Sequence, residues 1–303
     1  MYLVKFVLIS LGIAALIPTS CEAQGVEDKL FDFIMNSKDV QKRYDVKCSQ
    51  TSTEEFPESR GIDPSAFVRL MRYTADGSRK RRDVSISKLN SSFDEGELFG
   101  NWFAIEDAGK YWQVGQKVPS NSTDLPMLYR TDPVSMLLLT LDSQANGKGA
   151  THAAVSELFE VINYVDSFSE KDMTFGVWVS DNRKLILEVG FMKNDEMPTS
   201  IKHYFSFKGT IAKGDELNGR YKSSLKLVSE SRIAWKKMKD LYVPLRASMS
   251  RGQKGGVLIT QFWEFADWKL GDEVDLRRLD LDLFANSSMA TEIQKLRNEI
   301  SSK

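Results

Sequence analysis

Thr174–Ser180 (TFGVWVS) and Lys184–Met192 (KLILEVGFM), joined by Asp181-Asn182, decide how this chain folds. Both segments are rich in β-branched and aromatic residues. The Asp-Asn pair between them suits a tight turn, so the unit is expected to be an antiparallel hairpin. Downstream, Ile201–Phe207, Gly219–Val228 and Val257–Phe265 repeat the pattern, the first two on either side of the Lys213-Gly214-Asp215 turn. Upstream, Trp102, Phe103, Tyr111 and Trp112 flank the turn-like Asp107-Ala108-Gly109, and Val134–Leu141 reads as a strand buried on both faces.

Other stretches carry the helical period. Val26–Ser37 places Leu30, Phe31, Phe33 and Ile34 on a broad apolar face. Ala153–Val165 has an apolar stripe of Val155, Leu158, Phe159, Ile162 and Val165. Ser229–Tyr242 reads as a helix that Ser229 or Ser231 caps and Pro244 ends, and Met289–Ile300 as a final helix. Cys48–Pro64 is polar with two prolines and is expected to be a loop. Phe67–Tyr73 is a short element before a charged tract. Asp280 and Asp282 alternating with Leu279, Leu281 and Leu283 read as an edge strand. Strands joined by short turns, with helices interspersed, predict an α+β fold. It is expected to have a mainly antiparallel sheet, several amphipathic helices and a single main domain. The expected divisions are a leader over 1–23, an N-terminal helical and loop region with the basic tract over 24–90, and the α+β main domain over 91–303.

The leader has a cationic start ending at Lys5, an apolar run FVLISLGIAALI over Phe6–Ile17, and Pro18. Cys21 and Ala23 then supply small residues before Gln24, the layout of a cleavable secretory signal. No later run reaches the length of a membrane helix, so a soluble, secreted and extracellular protein is expected. Hydrophobic residues make up 42% of the chain and its net charge is −1, which describes a folded protein without a strong overall field for nucleic acid or anionic membranes. After cleavage Cys48 is the one cysteine left, expected as a buried thiol outside any disulfide or as an intermolecular bond. Asn90, Asn121 and Asn286 head N-x-S/T sequons and are candidate glycosylation sites.

The most unusual local feature is Arg79, Lys80, Arg81 and Arg82. Four consecutive cations are expected on a surface loop. Beyond that bland reading, they suggest a glycosaminoglycan-type polyanion site or a processing site for furin-like proteases. Histidine is limited to His152 and His203, no G-x-S-x-G surrounds a serine, and neither Gly147-Lys148-Gly149 nor Lys254-Gly255-Gly256 completes a phosphate loop. The acids Asp272, Glu273, Asp275, Asp280 and Asp282 do not match a calcium loop. No catalytic residue, cofactor or metal is assigned. The six tryptophans are expected mostly in the core, a minority lining a ligand cavity.

With its mass of 34.4 kDa, one mature cysteine and the leading helix VEDKLFDFIM, the chain resembles the 34 kDa salivary secreted proteins of culicine mosquitoes. That resemblance implies delivery in saliva and action on host immunity or haemostasis by binding, with no family catalytic residues. The main expectation is therefore a secreted, non-enzymatic binding protein. Its alternatives are an extracellular carrier of a small hydrophobic ligand and a hydrolase with an unrecognised site.

Overall fold

The computed structural model describes residues 20–55, 65–88, 102–107, 110–114, 116–118, 162–252 and 258–301. Residues 1–19, Asn90, Asn121, 134–141, 146–149 and 151–161 lie outside these, and with them His152 and most of the expected leader. Among the described residues no helix is long and apolar enough to cross a membrane.

Among the described residues thirteen strands form a single antiparallel sheet. In chain order they are β1 Arg43–Glu55, β2 Ser65–Asp76, β3 Arg79–Lys88, β4 Trp102–Asp107, β5 Lys110–Gln113 and β6 Gln116–Val118. There follow β7 Ile162–Glu170, β8 Met173–Ser180, β9 Leu185–Met192, β10 Ser200–Phe205, β11 Lys226–Met238, β12 Leu241–Gly252 and β13 Leu258–Leu270. Their order across the sheet is β6-β5-β4-β3-β2-β1-β13-β12-β11-β10-β9-β8-β7. Nearly every neighbour is also a sequence neighbour. The exception is β1 beside β13, which joins the two ends of the chain at the centre of the sheet. The described helices are α1 Ser20–Lys42, α2 Leu281–Ala285 and α3 Met289–Ser301.

This corrects the expected fold class. The described residues form one large antiparallel sheet with few helices, in place of the expected α+β fold with several amphipathic helices. The segment read as the helix Ser229–Tyr242 is the hairpin of β11 and β12, turning at Lys239-Asp240 with Lys239 at φ 56°. Its apolar residues are spaced ambiguously, and the structure resolves them with period 2: Ser229, Ser231 and Ile233 are buried while Arg232 and Ala234 are exposed. Pro244 stops no helix. It sits within β12 opposite Trp235, where the register slips by one residue. Cys48–Glu55, expected as loop, belongs to β1. Ile162–Val165 belongs to β7 and not to a helix. Leu279–Leu283 is no edge strand: a 3₁₀ turn, Leu276–Leu279, leads into α2, whose first N–H groups Asp280 caps. Gly219–Val228 opens as the 3₁₀ segment Leu217–Ser223 before β11 begins.

The hairpin of β8 and β9 forms as expected, with Val179 opposite Ile186. β4 and β5 pair antiparallel, Asp107 opposite Lys110, while Ala108 and Gly109 of the expected turn lie outside the described residues. The expected first and last helices lie within α1 and α3.

Helix α1 lies on one face of the sheet, here the inner face. Val26, Leu30, Phe33, Ile34 and Val40 form its buried stripe against Val46, Met71, Leu187, Ile233, Trp263 and Phe265. It crosses the strands. Val26 approaches Gly176 on β8, Phe33 sets its ring edge-on to Trp235 on β11 at 5.6 Å, and the Asn36 amide pairs with both backbone groups of Tyr242 on β12. Its Lys42 carbonyl accepts from the N–H of Gly77, the φ +59° residue of the β2–β3 turn.

The outer face is covered in two places. Over β2–β4, Phe284 of α2 and Leu296 of α3 pack on Phe103 and Ile105. Over β8–β10, Ile211 and Tyr221 pack on Val177, Val179, Ile186 and Tyr204.

Candidate functional site on the inner face of the sheet

Strand alternation combined with register places a band of polar side chains on the inner face, beside α1. One row across the strands reads Ser52, Gln261, Met249, Ser231, Ile201 and Val189, from β1 to β9. The next row outward includes Ser229, His203, Leu187 and Trp178. On the other side Arg69 pairs across to Gln50, and Trp263 follows. All but Arg69 are buried, and Arg69 is half-buried.

Some of these polar groups satisfy one another. Arg69 donates to Gln50 Oε1 at 2.7 Å, and burial pushes its guanidinium pKa down. His203 Nδ1 lies 2.9 Å from Ser229 Oγ. Others are left over. Ser52 and Ser231, each 1% exposed, have hydroxyls without a hydrogen-bond partner among the described residues, and so does the indole nitrogen of the buried Trp178. Such groups cost about 1–3 kcal/mol each when buried unsatisfied, and they remain able to bond to something that enters.

His203 falls within the expected strand Ile201–Phe207. It is on β10 and buried. Gln50, Ser52, Arg69 and Gln261 do not stand out in the sequence, and Ser231 reads there as a candidate helix cap, because polar residues carry no local sign of burial. A usable signal was present for β2 and β3: Asp76-Gly77 between two runs is a hairpin pair.

The basic tract is not a loop. Arg79–Arg82 opens β3, and the pleat divides its charges between faces. Arg79 pairs with Asp76 at 2.9 Å. Arg82, on the inner face, lies 3.7 Å from Glu106. Arg81 is buried on the outer face, where it pairs with Asp83 at 2.8 Å and with Glu292 of α3. The four cations therefore share no single patch.

Arg81 belongs to an ionic array that holds α3 to the sheet. Arg278 bonds Asp83 at 2.5 Å, and Arg72 bonds Asp45 and Glu299. Burial alone would raise the pKa of Asp45, but its bonds to Arg72 and the charges of Arg72 and Arg278 hold it below the usual carboxylate range. Glu292 is likewise lowered: burial opposes this, but Ser287, Arg81 and Lys295 outweigh it.

Cys48 is buried on β1 and forms no disulfide. Asn286, exposed, ends α2 with its side-chain amide donating to the Asp282 carbonyl. Among the described residues no group of three His, Cys, Asp or Glu is placed to hold a metal ion. Of the acids weighed for calcium, Asp275 binds Arg277 at 2.9 Å and Asp280 caps α2. Trp178, Trp263 and Trp268 are core residues, and Trp235 packs at its margin.

No protein-family model matches the chain, and no curated protein matches it in sequence. Solved structures give distant likenesses. A LolA superfamily protein from Nitrosomonas europaea aligns at TM-score 0.42 and 14% identity, over 84% of this chain and 98% of that one. A DUF1329 family protein from Desulfovibrio piger aligns at TM-score 0.38 and 8% identity, over 86% and 98%. Lipovitellin, in a structure titled for its lipid–protein interactions, aligns at TM-score 0.27 and 8% identity, over 78% of this chain and 26% of that one.

Proposed function

We propose that this protein is a non-enzymatic binding protein that carries a small hydrophobic ligand with a polar end on the inner face of its sheet. The observation that carries this reading is the pair of buried hydroxyls, Ser52 and Ser231, unpartnered in the same row as Met249, Ile201 and Val189. Apolar side chains there suit a hydrocarbon body. The hydroxyls, with Gln261 between them and Arg69 and Gln50 beside them, suit its polar end. Secretion, through the leader read in residues 1–23, and delivery in saliva, through the resemblance of the sequence, are parts of the proposal that rest on sequence alone.

The test is a titration with an environment-sensitive fluorescent fatty acid. Saturable binding at one site per chain is expected. A Ser52→Ala, Ser231→Ala double variant should stay folded and bind roughly tenfold more weakly, since two hydrogen bonds at about 0.5–1.5 kcal/mol each are lost. The absence of saturable binding in the unaltered protein would overturn the reading. Among the described residues the His203–Ser229 contact is the one a serine hydrolase would use, so an ester-cleaving activity lost in Ser229→Ala would favour that alternative.

A further inference from the structure

A second site opens at the margin of the inner face, its floor residue Ile233 lying two positions along β11 from Ser231. Where the β9–β10 connection meets β11 and the start of β12, a cleft of about 400 Å3 opens beside α1. Its floor is apolar, built from the buried Met197 and Ile233. Its aromatic walls are Trp235 and Tyr242, and its charged lining residues are Asp195 and Glu196.

Both aromatic rings are held in place. The Trp235 indole N–H donates to the Pro198 carbonyl at 2.7 Å, and its ring meets Phe33 edge-on. The Tyr242 hydroxyl donates to Glu196 at 2.7 Å, and its backbone is clamped by Asn36. Fixed rings recognise a ligand with little loss of side-chain entropy. The Tyr242 ring already faces an ammonium: Lys237 Nζ lies 5.1 Å from its centroid.

The charges point the same way. Neither Asp195 nor Glu196 joins an ion pair among the described residues, and Lys29 reaches only the backbone carbonyl of Asp195. Among the described residues that line the cleft there is no lysine or arginine; the ammonium groups of Lys29 and Lys237 stand at its margin, on the Asp195 carbonyl and on one face of the Tyr242 ring. An anionic ligand would meet two carboxylates there. A cation gains from the carboxylates and from the electron-rich ring faces together.

We propose that this cleft binds a small organic cation, an ammonium group on a short apolar body. The proposal does not depend on the inner-face carrier reading. The probe is 2-phenylethylammonium, titrated by calorimetry into the full protein, with 2-phenylethanol as a neutral counterpart of the same shape. Saturable binding of the ammonium and at least tenfold weaker binding of the alcohol are expected. Asp195→Asn changes an exposed residue, so the fold should persist while the ammonium Kd rises about tenfold. Trp235→Phe should weaken it several-fold, in keeping with the weaker cation attraction of the smaller ring. Equal binding of alcohol and ammonium, an affinity unchanged in both variants, or no saturable binding of the ammonium would each overturn the site. Loading the protein with fatty acid first should leave the ammonium affinity unaltered.

Discussion

At the scale of single residues, Ser52 and Ser231 separate a functional hydroxyl from a structural one. A hydroxyl that only holds the fold together has a partner, and its loss destabilises. An unpartnered one costs stability, so Ser231→Ala should leave the urea midpoint unchanged or raise stability by up to about 1 kcal/mol while ligand affinity falls. A lower midpoint would show that the hydroxyl is bonded within the fold. Gly176 makes a second prediction. A Cβ there would lie 2.4 Å from the Trp178 ring and 2.6 Å from Val26 of α1, so this glycine lets the helix approach β8 closely. Gly176→Ala should cost about 1–3 kcal/mol by urea unfolding, and combining it with Val26→Ala should cost less than the sum of the two. In sequence, neither position stood out. Gly176 looked like one more residue in an apolar strand, Ser52 fell in an expected loop and Ser231 looked like a helix cap, because burial is a property of the partners that the fold brings.

At the scale of elements, α3 is tied down by charge. Arg81→Ala would take from Asp83 and Glu292 the cation they share and leave them Arg278 and Lys295, at a cost of about 1.5–3 kcal/mol in chemical denaturation. Stability linked to the lowered carboxylates Asp45 and Glu292 has a definite sign. Their folded pKa values lie below the unfolded ones, so the contribution is complete above the ordinary carboxylate range and is lost as pH falls through it and below. Denaturation midpoints should therefore drop between about pH 5 and about pH 3, and Arg81→Ala should flatten that slope by removing one cause of the lowered Glu292 value. A slope equal to that of the unaltered protein would count against the array. The elements differed in how legible they were. The β8–β9 hairpin was readable because apolar strands flank a turn pair, and α1 because Leu30, Phe33 and Ile34 keep a helical stripe. β1 was misread as loop because its inward residues are Cys48, Gln50 and Ser52, so the alternation of burial has no matching alternation of hydrophobicity. The polar inner face that hid the strand is the same feature that marks the candidate site. The β11–β12 hairpin was misread because Lys239-Asp240 lacks the glycine or asparagine of a usual hairpin turn, so Ile233, Trp235, Met238 and Leu241 ran together as one helical face.

At the scale of the whole molecule, the antiparallel character was legible from short turns between strands, whereas the union of all thirteen strands in one sheet was not. That union depends on β1 pairing with β13, two segments with no local signal for each other. Because of it, side chains from β1, β2, β10, β11, β12 and β13 meet on one inner face, and the polar band exists only in the assembled sheet. Native mass spectrometry of the protein secreted from eukaryotic cells shows whether the inner face carries a ligand. A bound species of a few hundred daltons, one per chain, is expected, which organic extraction removes, added fatty acid restores, and the Ser52→Ala, Ser231→Ala variant retains poorly. A chain that carries no adduct before or after incubation with fatty acid, or a variant that retains the adduct as well as the unaltered protein does, would contradict the carrier reading.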